Sequence, residues 1–188
     1  MDTTRNATPR LPGQNAQANN LARMIRVDHA GEYGAVQIYR GQLAILGHTA
    51  TGKTIRHMEA QEQAHLKKFD ELIAEHGVRP TVLSPVWQVA GFALGAVTAL
   101  MGEKAAMACT AAVEEVIDEH YAAQVAALDN DGEAQSTLRD TIETFRMEEV
   151  AHRDTALAHG AEQTPGYDLL SGAIKAGCRI AIRLSERF

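Results

Sequence analysis

Two Glu-x-x-His pairs occur in stretches that have the repeat pattern of a helix. Glu62 and His65 lie in "HMEAQEQAHLKKF", and Glu149 and His152 lie in "TFRMEEVAHRDTA". Residues three apart share one face of a helix, with Cβ atoms about 5–6 Å apart, so a carboxylate and an imidazole there can bind the same metal ion. Chance alone gives about 0.6 such pairs in a chain of this composition. The interpretation therefore depends on where the pairs stand.

Both pairs occupy positions where the helical pattern requires apolar side chains. The apolar positions around the first pair are Ile55, Met58, Phe69 and Leu72. Those around the second pair are Leu138, Ile142, Phe145 and Ala156. Glu149, rather than its neighbour Glu148, continues the second apolar stripe. The pattern predicts that both pairs are buried in a helical core.

A preceding helix supplies one further glutamate for each pair. Glu32 and Glu114 lie in the apolar stripes of these helices, and Glu114 fits its stripe better than the adjacent Glu115. A tyrosine follows each of them seven residues later, at Tyr39 and Tyr121. The chain therefore has a weak internal repeat of two helical hairpins.

Six residues are candidate metal ligands: Glu32, Glu62, His65, Glu114, Glu149 and His152. A single histidine in such a stripe is more often an ordinary core residue, but six residues in a symmetric array favour metal binding. Four buried carboxylates without compensation would cost many kcal/mol or would become protonated. Two divalent cations balance their charge, and an oxygen-rich set with one imidazole per metal suits iron or manganese better than a closed zinc site. The set matches that of ferritin-like di-iron carboxylate bundles.

Five further residues are candidates for the layer around these ligands. Asp28 and Asp118 lie one helical turn from candidate ligands, and we expect them to accept the outer N–H of a ligating histidine. A surface ion pair is the alternative for both. His120 is adjacent to this region, and Tyr39 and Tyr121 either line a metal cavity or fill the core.

The predicted fold is all-α, a ferritin-like four-helix bundle with an uncharged crossover helix and an additional C-terminal helical segment. Residues 81–102 carry no charge and are nearly long enough to span a bilayer. Pro85, Gln88 and three glycines oppose a transmembrane helix, so a buried or membrane-facing crossover is the prediction. The bundle helices are predicted at residues 20–47, 51–76, 103–127 and 136–159, and the final segment at residues 168–188.

Composition limits the possible partners and the compartment. The net charge of −6 argues against nucleic acid as a partner. Two cysteines are too few for a disulfide framework and fit a reducing compartment. Residues 1–19 are polar, lack the apolar core of a secretory signal and are predicted to be a disordered tail before a domain at residues 20–188.

Several motifs resemble those of demethoxyubiquinone hydroxylases, a di-iron family of ubiquinone biosynthesis. The resemblance covers about residues 20–188, and its first and last stretches are the most specific. The motifs are "RVDHAGEYGAVQIYRGQ", "EQAH", "AVEEVIDEHY", "EEVAH" and "CRIAIRLSERF".

The resemblance implies an O2-dependent monooxygenase that hydroxylates the ring of a demethoxy polyprenyl benzoquinol with two iron ions per chain. It implies that Glu62 and Glu149 bridge the irons, one of which also binds Glu32 and His65 and the other Glu114 and His152. The electron donor does not follow from the sequence, and NADH and the quinol itself are the candidates. Other ubiquinone-biosynthesis proteins are candidate partners.

The resemblance also implies association with a membrane surface. Because residues 1–19 lack transit-peptide features, we expect a peripheral protein on the cytoplasmic side of a bacterial membrane. A basic stripe on the last helix suits lipid phosphates, although a solvated helix face is the alternative. The stripe consists of Lys175, Arg179, Arg183 and Arg187.

The residues alone also allow other functions for a paired Glu-x-x-His site. A bacterioferritin-like iron oxidase would form a soluble cage, which an uncharged crossover helix suits poorly. A rubrerythrin-like peroxidase would usually carry a cysteine-rich module, which the two cysteines do not provide. A non-enzymatic membrane adaptor with structural metals is the third alternative.

Overall fold

The structure, a computed structural model, describes residues 14–129 and 135–188. These residues form six α-helices and a short 3-10 turn at Ala161–Gln163, without a strand, as the all-α prediction requires. The helices are α1 (Gln14–Leu46), α2 (Ala50–His76), α3 (Ser84–Leu100), α4 (Glu103–Asp129), α5 (Ser136–Ala158) and α6 (Tyr167–Arg187).

Helix α1 begins earlier than its apolar pattern predicts. It starts at Gln14 instead of Asn20, so residues 14–19 of the predicted disordered tail are helical. This stretch is polar, but glutamine and alanine are good helix formers, and extending an existing helix avoids the cost of nucleation. Residues 1–13 of the predicted tail lie outside the described residues.

Short capped connections fix the hairpin of α1 and α2. The Thr49 hydroxyl accepts a hydrogen bond from the Gly52 N–H at 3.1 Å, which caps the start of α2. At the C-terminal end of α2, Gly77 has a φ of 62°, and the N–H of the next residue, Val78, donates to the Ile73 carbonyl. The short link makes α1 and α2 antiparallel neighbours, and α4 and α5 form the second hairpin of the bundle.

Two apolar clusters fill the bundle on either side of its central polar positions. One contains Tyr39, Ile55, Met58, Met107 and Ala156. The other contains Ile25, Phe69, Tyr121, Val125 and Ile142. On each bundle helix the candidate ligands fall between the residues of the two clusters, so apolar packing fixes the helices above and below the polar centre.

Glycines allow the crossover helix α3 to pack closely on α1. A Cβ atom on Gly95 would lie 1.9 Å from the Ile38 carbonyl oxygen, and one on Gly41 would lie 2.1 Å from the Phe92 carbonyl oxygen. The two backbones therefore contact each other directly, which is possible because glycines at the interface have no side chains. Two of the three glycines that argue against a transmembrane helix in the sequence, Gly91 and Gly95, are therefore packing positions in the fold.

Helix α6 packs against α4, α1 and α3. The Trp87 indole N–H donates to the Ser185 hydroxyl at 3.0 Å, which joins α3 to α6. Lys175 pairs with Glu115 on α4 at 2.6 Å, and Arg179 pairs with Glu119 at 2.9 Å. The basic stripe predicted for lipid phosphates is thus partly wrong, because half of it faces an acidic row on α4.

Helices α3 and α6 leave many large apolar side chains exposed. They include Val86, Val89, Phe92, Val97 and Leu100 on α3, and Leu169, Ile180 and Leu184 on α6. Among the described residues, no helix combines the length and apolar content needed to cross a bilayer.

The close contact between α1 and α3 makes Gly95 sensitive to a single added methyl group. We expect Gly95→Ala to lower the free energy of unfolding by about 1–3 kcal/mol, because the Cβ atom has no space beside the Ile38 carbonyl. Gly172→Ala in α6 is the matched control, since its Cβ meets nothing within 4 Å. That variant should gain about 0.5–1 kcal/mol. Urea unfolding of both variants tests this, and a Gly95→Ala protein as stable as Gly172→Ala would contradict the packing.

Candidate metal centre

The structure brings all six candidate ligands together in the middle of the bundle. Each of these side chains is buried: Glu32, Glu62, His65, Glu114, Glu149 and His152. Their ligand atoms form two overlapping groups, within each of which the atoms lie within 4.8 Å of one another. One group contains Glu32 and His65, the other contains Glu114 and His152, and Glu62 and Glu149 belong to both.

Glu62 and Glu149 lie between the two imidazoles. The Glu149 carboxylate oxygens lie 3.1 Å from His65 Nδ1 and 3.2 Å from His152 Nδ1. Those of Glu62 lie 3.0 Å from His152 Nδ1 and 3.9 Å from His65 Nδ1. Each of the two carboxylates therefore faces both halves of the centre.

Each hairpin supplies a tyrosine that binds the lone glutamate of the other. The Tyr39 hydroxyl on α1 donates to Glu114 on α4 at 2.7 Å, and the Tyr121 hydroxyl on α4 donates to Glu32 on α1. Burial and the carboxylate charges raise the pKa of both tyrosines well above the usual range, so the hydroxyls stay protonated. Both tyrosines belong to the core and also contact the centre.

The two imidazoles direct Nδ1 inward and Nε2 outward, to different acceptors. His65 Nε2 lies 2.5 Å from the Glu148 carboxylate, and His152 Nε2 lies 3.1 Å from the Gln61 side-chain oxygen. An outer acceptor of this kind fixes the tautomer and orientation of a metal-binding histidine. The sequence pattern missed both residues, although each directly precedes the glutamate of a Glu-x-x-His pair.

The structure places the other candidates elsewhere. Asp28 lies 3.0 Å from His120 Nε2 and accepts a hydrogen bond from Gln124 at 2.7 Å. Asp118 accepts hydrogen bonds from Arg146 and Arg153, so it joins α4 to α5. The expectation that Asp28 and Asp118 orient the two histidines is therefore wrong, because their carboxylates are engaged by other side chains.

Burial makes the carboxylates difficult to ionise. Desolvation is the largest cause that raises the pKa of Glu32, Glu62 and Glu114, and for Glu62 and Glu114 the charge on Glu149 raises it further. Burial opposes charge on Glu149 as well, but its contacts with His152 and His65 outweigh it and lower its pKa to about 2. Interactions with Glu149 and Glu32 likewise outweigh burial at His65 and raise its pKa to about 11.

The donor set fits divalent cations. Several inward atoms have no hydrogen-bond partner, namely Glu32 Oε2, Glu62 Oε1, His65 Nδ1 and Glu149 Oε1. Some of these atoms lie close to other potential ligand atoms, but the geometry is not that of a hydrogen bond. This arrangement is typical of atoms that point toward a shared centre. Buried polar atoms seldom remain unpaired, and carboxylate oxygens with one imidazole per position suit iron or manganese.

The fold and these core residues define the class of protein, a ferritin-like bundle with paired carboxylates and imidazoles at its centre. The family model described as "Ubiquinone biosynthesis protein COQ7" matches residues 19–185, and the chain belongs to this family.

Curated relatives resemble the chain over most of its length. The 3-demethoxyubiquinol 3-hydroxylase of Rhodospirillum rubrum is 56% identical over 182 residues, which are 96% of this chain and 84% of the relative. The mitochondrial NADPH-dependent 3-demethoxyubiquinone 3-hydroxylase of Rattus norvegicus is 57% identical over 166 residues, 88% of this chain and 76% of the relative. The mitochondrial 5-demethoxyubiquinone hydroxylase of Saccharomyces cerevisiae is 42% identical over 186 residues, 92% of this chain and 80% of the relative.

The raised pKa values predict that the metal-free protein loses stability as the pH rises. Folded Glu32, Glu62 and Glu114 hold protons above pH 4.5, where unfolded glutamates release them, so the folded state is penalised progressively as the pH rises through their folded pKa values. His65, with a pKa near 11 instead of 6.5, adds a loss above pH 6.5. Glu149 titrates below this window.

Glu62→Gln tests this dependence. The variant should weaken metal binding, yet at pH 8 in chelator it should be about 1–3 kcal/mol more stable than the native chain, because a buried carboxyl is replaced by a neutral amide. Thermal unfolding in chelator from pH 5 to 9 measures the effect. Glu71→Gln, at an exposed position of the same helix, is the control. A pH slope in Glu62→Gln as steep as in the control would contradict the electrostatic account.

Proposed function

We propose that this protein is an O2-dependent monooxygenase that hydroxylates the ring of a demethoxyubiquinol. In the reaction, a ring C–H becomes C–OH, the second oxygen atom of O2 leaves as water, and a reductant supplies two electrons and two protons. The observation that carries the proposal is the match, over 96% of the chain, to a relative named 3-demethoxyubiquinol 3-hydroxylase. The buried cluster of carboxylates and imidazoles supports it, since aromatic hydroxylation with O2 needs a redox cofactor, and non-haem iron is one that such a cluster can hold.

Two iron ions per chain are the proposed cofactor. Glu32 and His65 would hold one, Glu114 and His152 the other, and Glu62 and Glu149 would bridge them. When bound, the ions would pass electrons from the reductant to O2. Two divalent cations also neutralise the four carboxylates, whose burial is otherwise unfavourable.

The residues of the chain position and protect this chemistry. Tyr39 and Tyr121 hold one oxygen of each lone glutamate as neutral donors, which limits the orientations that these carboxylates adopt. The apolar clusters at both ends exclude water from the centre.

An apolar cavity beside the centre suits the quinol. It has a volume of ≈ 460 Å³ and lies between α1, α3, α4 and α6. Its wall includes Gly31 and Val113, the chain neighbours of Glu32 and Glu114, so the cavity lies next to the proposed ligands. Gly34 also lines it, and because a Cβ atom there would meet nothing within 4 Å, it leaves room for an apolar ring and the start of its polyprenyl tail.

A reduced nicotinamide nucleotide is the proposed source of electrons. The sequence alone leaves NADH or the quinol itself as the donor, and the name of the Rattus norvegicus relative, which includes "NADPH-dependent", favours the nucleotide. Other ubiquinone-biosynthesis proteins remain proposed partners.

We also propose that the protein docks on the cytoplasmic surface of a bacterial membrane. The exposed apolar side chains of α3 and α6 support this, because the quinol tail partitions into lipid and the cavity opens between the same helices. Arg183 and Arg187 are exposed on α6 and available to lipid phosphates. The free thiols of Cys109 and Cys178 fit a reducing compartment.

The iron-oxidase and peroxidase alternatives receive less support than the hydroxylase. The three relatives described above carry hydroxylase names, and two of these three match more than 90% of the chain.

Complementation of a bacterial strain blocked at the demethoxy stage tests the reaction. The native chain should restore ubiquinone in lipid extracts, whereas Glu149→Ala should leave the demethoxy intermediate and lose iron, because a proposed bridging ligand is removed. Glu143→Ala, on the same helix but paired with Arg146 outside the centre, should behave as native. A native chain that is stably expressed and loaded with iron, yet restores no ubiquinone, would refute the proposal.

Vesicle co-sedimentation tests the docking surface. Val89→Glu replaces an apolar side chain that is 71% exposed on α3, and we expect about a tenfold loss of binding to phosphatidylglycerol-containing vesicles, since burial of one valine contributes about 1.5–3 kcal/mol. Met147→Glu places the same charge at an exposed apolar position on α5 and should bind as native. Equal binding by the two variants would argue against α3 as the membrane face.

A further inference from the structure

The proposed metal centre has an approximate two-fold symmetry that is broken at one pair of residues. Each half has a lone glutamate, a histidine and a tyrosine from the other hairpin, and the halves share two glutamates. The outer acceptors differ, since Glu148 lies against His65 and Gln61 lies against His152.

This difference places unequal charge behind the two imidazoles. A carboxylate acceptor makes a charge-assisted hydrogen bond, which is roughly twice as strong as a neutral one. It raises the basicity of the inward Nδ1 and adds a negative charge to the half that contains His65. The amide oxygen of Gln61 orients His152 but adds no net charge.

The exposure of Glu148 determines how strongly its charge is expected to change metal affinity. Loss of an outer acceptor typically weakens metal binding by about 10–100-fold. The Glu148 side chain is 40% exposed, so water screens part of its charge. The lower end of the range, about tenfold, is therefore expected.

We propose that Glu148 and Gln61 are positioning residues that make the two metal positions unequal. The position formed by Glu32 and His65 binds a divalent cation about tenfold more tightly than the position formed by Glu114 and His152, as the lower end of the outer-acceptor effect implies. The inference rests on the proposed metal ligands and is independent of the substrate that is hydroxylated.

Cobalt(II) titration of the metal-free 188-residue chain tests the inference, with the visible absorption of the bound ion as the readout. His152→Ala retains only the imidazole whose acceptor is Glu148, and His65→Ala retains only the imidazole whose acceptor is Gln61. Glu148→Gln, which keeps the side-chain shape and removes the charge, is then added to each background. Far-UV circular dichroism establishes that each variant is folded.

The cobalt affinity of His152→Ala should exceed that of His65→Ala by about tenfold. Adding Glu148→Gln should remove most of this advantage in His152→Ala and leave His65→Ala unchanged. Gln61→Glu in His65→Ala should tighten cobalt binding. If a single-site background does not fold, the two binding steps of the native chain should converge in Glu148→Gln.

An equal effect of Glu148→Gln in both backgrounds, or no effect in either, would overturn the inference. A native chain that binds no cobalt would instead refute the proposed metal centre. A native chain that binds cobalt in two steps but fails in complementation would leave the inference standing and refute the proposed reaction.

Discussion

The burial of four carboxylates beside two imidazoles is the constraint on which the rest of this structure depends. Their charge is unfavourable in an apolar interior unless cations or protons balance it, and desolvation indeed raises the pKa of Glu32, Glu62 and Glu114. Apolar clusters above and below provide the cohesion that the polar middle lacks. The bundle thus holds in its interior a set of side chains that favour solvent. This burial lowers the stability of the metal-free fold, and binding of metal ions would offset that cost.

The spacing of apolar residues along the helices predicts which residues form the centre of the site. Glu62 and Glu149 interrupt apolar stripes, and their depth in the bundle follows from that spacing alone. The outer acceptors do not follow from it, because Glu148 and Gln61 lie one residue away from the stripe and reach the histidine of the opposite hairpin. Their role depends on how the hairpins are rotated against each other, which no single helical pattern specifies. The spacing also makes Asp28 a candidate, but its carboxylate contacts His120 instead.

The outer helices show the same limit. The uncharged segment at residues 81–102 indicates a crossover, and it does form α3. The role of Gly91 and Gly95, however, depends on the Gly34 and Ile38 carbonyls of α1 that they approach. The basic residues of α6 form a stripe in the sequence, yet Lys175 and Arg179 face acidic partners on α4 because of the way the helix packs. Contacts between elements, rather than patterns within them, decide these roles.

The different partners of the two histidines have a consequence for how such a centre originates. Two identical hairpins that associate as a symmetric dimer must present the same acceptor to both imidazoles, because every substitution appears twice. A single chain in which α3 links the hairpins has no such restriction. After gene duplication and fusion, the two halves would therefore change independently. The difference between Glu148 and Gln61 requires such a fused chain, because a symmetric dimer would carry the same residue at both positions.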